Sequence, residues 1–182
     1  HHESTGPPLK SFLFDLDEDI SSKARFTQYA AHVLKALLHV MSDFPGLSLQ
    51  DRVAILVPDN DFLDGLRPAL SEALQAASVA GQFGKFGSEK RRLLLMNASE
   101  AASKLTGRAG GRGRHGEGDE SLVFDTLESF DGLERLIVIP VGLDAPLDDK
   151  AEDVLETRSR LYRALTRAHM MALVVNEAVK GG

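Results

Sequence analysis

The sequence predicts an α/β fold in three layers, a mostly parallel sheet with helices on both faces. Three observations predict it. Short, nearly unbroken apolar segments alternate with longer segments whose apolar residues recur at helical spacing. The apolar segments, such as Arg52 to Val57 (RVAILV) and Leu136 to Val141 (LIVIPV), show no in–out alternation, which marks strands covered on both sides. Capping and turn residues separate the two kinds of segment, as strand-to-helix crossovers require.

Taken in order, Leu9 to Leu16 (LKSFLFDL) reads as a first strand. Ser21 to Met41 follows as a helix, with Phe26, Tyr29, Ala30, Val33, Leu34, Leu37, Leu38 and Met41 on one face and Ser21 or Ser22 as N-cap. Phe44-Pro45-Gly46 ends it. Arg52 to Val57 is the second strand. Asp59-Asn60-Asp61 offers capping oxygens to a helix from Phe62 to Val79, with Pro68 expected close to its first turn. Arg92 to Met96 is a third strand and Ala98 to Leu105 a short helix. Residues 106–120 (TGRAGGRGRHGEGDE) lack apolar periodicity and read as a mobile loop. Their GRGRHG fits G-x-G-x-x-G in letters only, because no strand precedes it and no helix opens after it. Ser121 to Asp125 is the fourth strand and Leu136 to Val141 the fifth, with Pro140 near its end. Leu143 to Asp149 is a turn-rich loop, Glu152 to Ala168 a helix and Met170 to Val175 the last strand. Ligands of such sheets gather at the carboxyl ends of the strands.

The chain has 182 residues, 43% of them apolar, enough for one packed domain. His1 and His2 open a segment, residues 1–6, that reads as a tag remnant, leaving 7–182 as the expected domain. Cysteine is absent, which excludes disulfide frameworks and thiolate metal sites. His32 and His39 stand seven apart on one helix with no third ligand, so no metal site is expected. A net charge of −6 argues against binding nucleic acid by bulk charge. No apolar run approaches a membrane span, so no membrane partner is expected and the location is expected to be intracellular, cytoplasmic or nuclear.

Arginine is concentrated in one place. Arg158, Arg160, Arg163 and Arg167 fall within about three helical turns directly before an apolar strand. A solvated helix would alternate signs; accumulated positive charge suits a site that grips an anion. The core of this segment, LYRALTRA (Leu161 to Ala168), resembles motif VI of superfamily one helicases of the UvrD/Rep and Upf-like types. Two further segments resemble that family in the same order. Val53 to Asn60 (VAILVPDN) resembles motif IV, with Pro58-Asp59-Asn60 where many relatives carry an arginine. Thr126 to Glu134 (TLESFDGLE) resembles motif V, with Asp131 where the family has Lys or Gln. A carboxylate there would repel a phosphate backbone.

The resemblance implies the second, C-terminal RecA-like lobe, of the P-loop NTPase type, of an ATP-dependent helicase-like protein. It implies Arg167 as an arginine finger on the γ-phosphate, with Arg163 and Arg160 as helpers or as ion-pair partners of Glu156 and Glu152. Gly132 would allow close approach to the nucleotide and Glu134 would contact its sugar or phosphate region. Thr126, Glu128 and Ser129 would face single-stranded DNA or RNA. Tyr162 and Leu165 are expected in the core. No G-x-x-x-x-G-K-[ST] occurs, so ATP with Mg2+ would be held mainly by a first RecA-like lobe outside this chain, and the chain alone is not expected to hydrolyse ATP. Two other readings exist: a non-hydrolysing RecA-like interaction or regulatory module, and a phosphatase of the haloacid dehalogenase type using Asp15 and Asp17 of FLFDLDED.

Overall fold

The computed structural model describes residues 9–17, 19–86, 89–105, 118–143 and 159–178. Its centre is a sheet of six parallel strands: β1 (Leu9–Phe14), β2 (Val53–Val57), β5 (Arg92–Met96), β6 (Asp119–Thr126), β7 (Arg135–Pro140) and β8 (Ala168–Glu177). Their order across the sheet is β1-β8-β7-β2-β6-β5. Three helices accompany them, α1 (Ser22–Asp43), α2 (Asn60–Val79) and α3 (Ala98–Leu105), with a further helical segment over residues 159–165. β3 (Lys85–Phe86) and β4 (Glu89–Lys90) form a two-stranded antiparallel hairpin between α2 and β5.

The chain crosses the sheet one way from β1 to β2 to β5, then returns through β6, β7 and β8. Parallel crossovers are right-handed, so connections going one way must lie on one face and those coming back on the other. That is what the two cores record. Val53, Ile55 and Val57 of β2 pack with Tyr29, Val33, Leu37 and Val40 of α1 and Leu66, Leu70 and Leu74 of α2. Ala54 and Leu56 point the opposite way, to Ala98 and Ala101 of α3, Leu127, Phe130 and Ala164. One five-residue strand, buried throughout, feeds both cores. The three-layer α/β arrangement expected from the sequence is the one observed.

The helix starts are those the capping residues dictate. Ser21 Oγ accepts from the Ala24 amide at 3.3 Å and Asp59 Oδ1 from the Phe62 amide at 2.8 Å. The second cap starts α2 at Asn60, which leaves Pro68 well inside the helix instead of near its first turn. Leu66, Leu70 and Leu74 are buried on both sides of the proline, and this packing holds the helix through it. Pro140 is the last residue of β7, as expected.

Several other boundaries differ from the sequence reading; β1 ends at Phe14 and not at Leu16, α1 runs on to Asp43 and β8 to Glu177. Asp119 and Glu120, read as loop, open β6, because Glu120 is buried on the Arg91 guanidinium at 2.6 Å. Ala168, read as the end of a helix, opens β8; described helix stops at residue 165 and a turn follows. The remainder of the Gly/Arg segment, the 144–149 loop and the helix before residue 159 lie outside the described residues.

Candidate functional site

The segment resembling motif V is the whole crossover from β6 to β7. Its first residues close on themselves. Thr126 Oγ1 accepts from the Ser129 amide at 3.1 Å and donates to Ser129 Oγ at 2.9 Å, while Glu128 stays exposed. Leu127 and Phe130 are buried in the second-face core and Leu133 packs against it. These apolar anchors fix the crossover and leave Asp131 and Gly132 between them exposed. Gly132 has φ +77°, and open space surrounds the position a Cβ would take. The positive φ by itself favours glycine at this position.

The segment resembling motif VI packs on the same core. Leu161, Ala164 and Ala168 form the inward stripe. That stripe turns Tyr162 outward, 69% exposed, so Tyr162 is not a core residue; Leu165 is half-buried. The turn after the helical segment is tied by the Arg167 amide to the Ala164 carbonyl at 3.1 Å. The Arg167 carbonyl in turn accepts from the Arg135 amide at 3.1 Å, which fixes it beside the start of β7.

These anchors bring the two segments together on charge. Arg167 Nη2 lies 2.5 Å from Asp131 Oδ1, and Arg163 Nη2 lies 3.5 Å from Asp131 Oδ2. Glu134 Oε2 meets His169 Nε2 at 2.7 Å. The Arg135 guanidinium lies over the Phe130 ring at 5.6 Å and donates from Nη1 to the Glu134 carbonyl at 2.8 Å. Its Nε is buried without a partner. Arg160 sits half-buried on the same helical segment as Arg163. Glu152 and Glu156 lie outside the described residues.

Of the residues singled out from sequence, Arg163, Arg167, Gly132 and Glu134 thus gather in one cluster. Thr126 and Ser129 stand at the other end of the crossover, at the carboxyl end of β6. The cluster itself lies before the first residues of β7 and β8, opposite to the carboxyl edge where the sheet rule places ligands. Sequence reasoning missed Asp131 as the counter-ion and His169 as the partner of Glu134. The arginine surplus could have pointed to the first, since two clustered cations need an anion nearby.

Chemically, two guanidiniums converging on one exposed carboxylate form a fork suited to oxyanions. Elsewhere the sequence's other candidates fold into ordinary structure. Asp15 and Asp17 are exposed after β1, and the Asp17 carbonyl accepts from the Ile20 amide in a strand-to-helix turn. His32 stacks on Phe14 at 4.3 Å, and His39 pairs with Asp43 at 3.2 Å. Among the described residues no group of three side chains could hold a metal, and no helix is long and apolar enough to cross a membrane.

No family model matches the chain, and no curated protein matches it. Among solved structures it is loosely similar to the C-terminal domain of a possible DNA helicase from Lactobacillus plantarum WCFS1. The TM-score is 0.47 at 15% identity, over 95% of this chain and 74% of that one. A likeness of that size assigns no function.

Proposed function

We propose that this chain is the second RecA-like lobe of an ATP-dependent helicase-like protein, which reaches across to a nucleotide held mainly by a first lobe. In this reading Arg167 is the finger that meets charge developing on the γ-phosphate, Arg163 supports it and Arg160 adds to the local positive field. Gly132 and Glu134 stand at the nucleotide side of the same cluster. Thr126, Glu128 and Ser129, at the far end of the crossover, face single-stranded DNA or RNA. Mg2+ belongs to the first lobe in this account. The observation that carries the reading is the convergence of Arg163 and Arg167 on the crossover residue Asp131, which joins the segments resembling motifs V and VI. A guanidinium placed on a transferring phosphoryl group is worth factors of about a thousand or more in rate.

The test is ATP hydrolysis by the longer polypeptide that the reading requires, with and without a single-stranded oligonucleotide. Arg167→Ala is expected to lower the rate by at least about a hundredfold, and nucleic acid to raise the wild-type rate. Absence of hydrolysis in the wild type would overturn the enzymatic reading. A second reading, a RecA-like lobe kept for interaction or regulation without hydrolysis, is favoured by one observation: Asp131 already bridges the arginine pair and offsets one of its two charges. The phosphatase reading predicts magnesium-dependent phosphate release by this chain alone, abolished by Asp15→Asn.

A further inference from the structure

We propose that Asp131 is an internal counter-ion that latches the arginine pair, and that a nucleotide's phosphates bind there by taking its place. The inference rests on the reading of Arg167 and Arg163 as phosphate contacts and adds how that contact is gated. The Asp131 carboxylate gives one oxygen to each arginine, Oδ1 to Arg167 at 2.5 Å and Oδ2 to Arg163 at 3.5 Å. A carboxylate bridging two guanidinium forks occupies the positions that two oxygens of a phosphate would fill. Ligand and latch therefore compete for the same donors.

The carboxylate is also built to leave. It is 57% exposed, and among the described residues the two arginines are its only side-chain partners. The next residue, Gly132, takes φ +77° with open space around it, so the backbone beside Asp131 has freedom that a residue with a Cβ would lack. Phe130 and Leu133 are packed into the second-face core on either side, so Asp131 can swing without unpacking the crossover. The Arg167 side chain is 23% exposed, and its backbone is held to Ala164 and Arg135 independently of the carboxylate. The apparent affinity for the phosphates is then the intrinsic affinity reduced by the fraction of molecules with the latch open.

Titration calorimetry with inorganic tripolyphosphate on this chain tests the latch. Asp131→Asn is expected to bind the probe about three- to fivefold more tightly than wild type, the upper scale of one surface ion pair. Glu72→Gln, which makes the same charge change on the exposed side of α2, is expected to change binding by less than about twofold. In an Arg167→Ala background the gain from Asp131→Asn is expected to shrink to less than about half, because the nearer of the two latched arginines is gone. Equal or weaker binding by Asp131→Asn overturns the latch, and so does an equal gain from Glu72→Gln. If Arg167→Ala binds the probe as well as wild type, the phosphate-contact reading falls as well. If Arg167→Ala loses binding while Asp131→Asn gains nothing, the latch alone falls. Repeating the titration with ATP and with a single-stranded oligonucleotide separates two sources of phosphate. The gain is expected with ATP; a gain confined to the oligonucleotide would overturn the nucleotide assignment.

Discussion

Arg91 and Glu120 meet in a bidentate pair, Nε to Oε1 at 2.6 Å and Nη2 to Oε2 at 2.9 Å, each side chain 6% exposed. Backbone groups complete it: Arg91 donates to the Leu47 carbonyl at 2.9 Å, and Glu120 accepts from the Leu49 amide. Arg167, Arg163 and Asp131 use the same chemistry at the surface, one carboxylate shared between two arginines with, among the described residues, no backbone bond to the carboxylate. The first pair satisfies every strong donor it buries and fastens the start of β6 to the turns before β2. The second leaves its carboxylate solvated and replaceable. Burial and backbone satisfaction, not the ion pair itself, separate a structural bond from an exchangeable one.

The largest effect should come from breaking the buried pair. Arg91→Ala leaves the Glu120 carboxylate buried and unpaired, and is expected to lower the unfolding free energy by about 3–5 kcal/mol in urea denaturation. A loss near that expected of a surface pair would erase the contrast between the two sites. Gly132→Ala sharpens it from the other side. With no neighbour to strike, the added methyl costs only backbone strain, about 1–2 kcal/mol, read by the same denaturation.

Asp59→Ala, at the exposed cap of α2, is expected to cost about 1 kcal/mol. A third ionic group tests the intermediate case. Burial pushes the Tyr29 hydroxyl's pKa above its ordinary value of 10.0, and the Glu177 carboxylate pushes it further. Above pH 10 the unfolded chain therefore releases a proton that the native state keeps, so stability falls as pH rises. Tyr29→Phe should flatten that alkaline slope in pH-dependent unfolding.

Much of this arrangement was legible because it is local. The unbroken apolar character of β2 and β7, the helical spacing of α1 and the caps at Ser21 and Asp59 each follow from neighbouring residues. The differences arise where distant groups decide. Asp119 and Glu120 belong to a strand because Arg91 neutralises one of them across the sheet, which no window of sequence contains. The β3–β4 hairpin is two residues wide on each side, too short for any periodicity. At the site, the resemblance marked Arg167, Arg163, Gly132 and Glu134, yet said nothing of how they meet. Asp131 and Arg167 are 36 residues apart, and their contact depends on how two crossovers share one face of the sheet. Asp131 therefore read as a repulsive substitution when taken alone, whereas in the fold it is the arginines' counter-ion.

The most direct measurement takes one variant, Arg167→Ala, and reads its ATP hydrolysis rate and its unfolding free energy together in the longer polypeptide. Hydrolysis is expected to fall by at least about a hundredfold while stability changes by no more than about 1 kcal/mol. An unchanged rate, or a loss of rate that merely follows a stability loss of the size expected for Arg91→Ala, would rule out Arg167 as the finger.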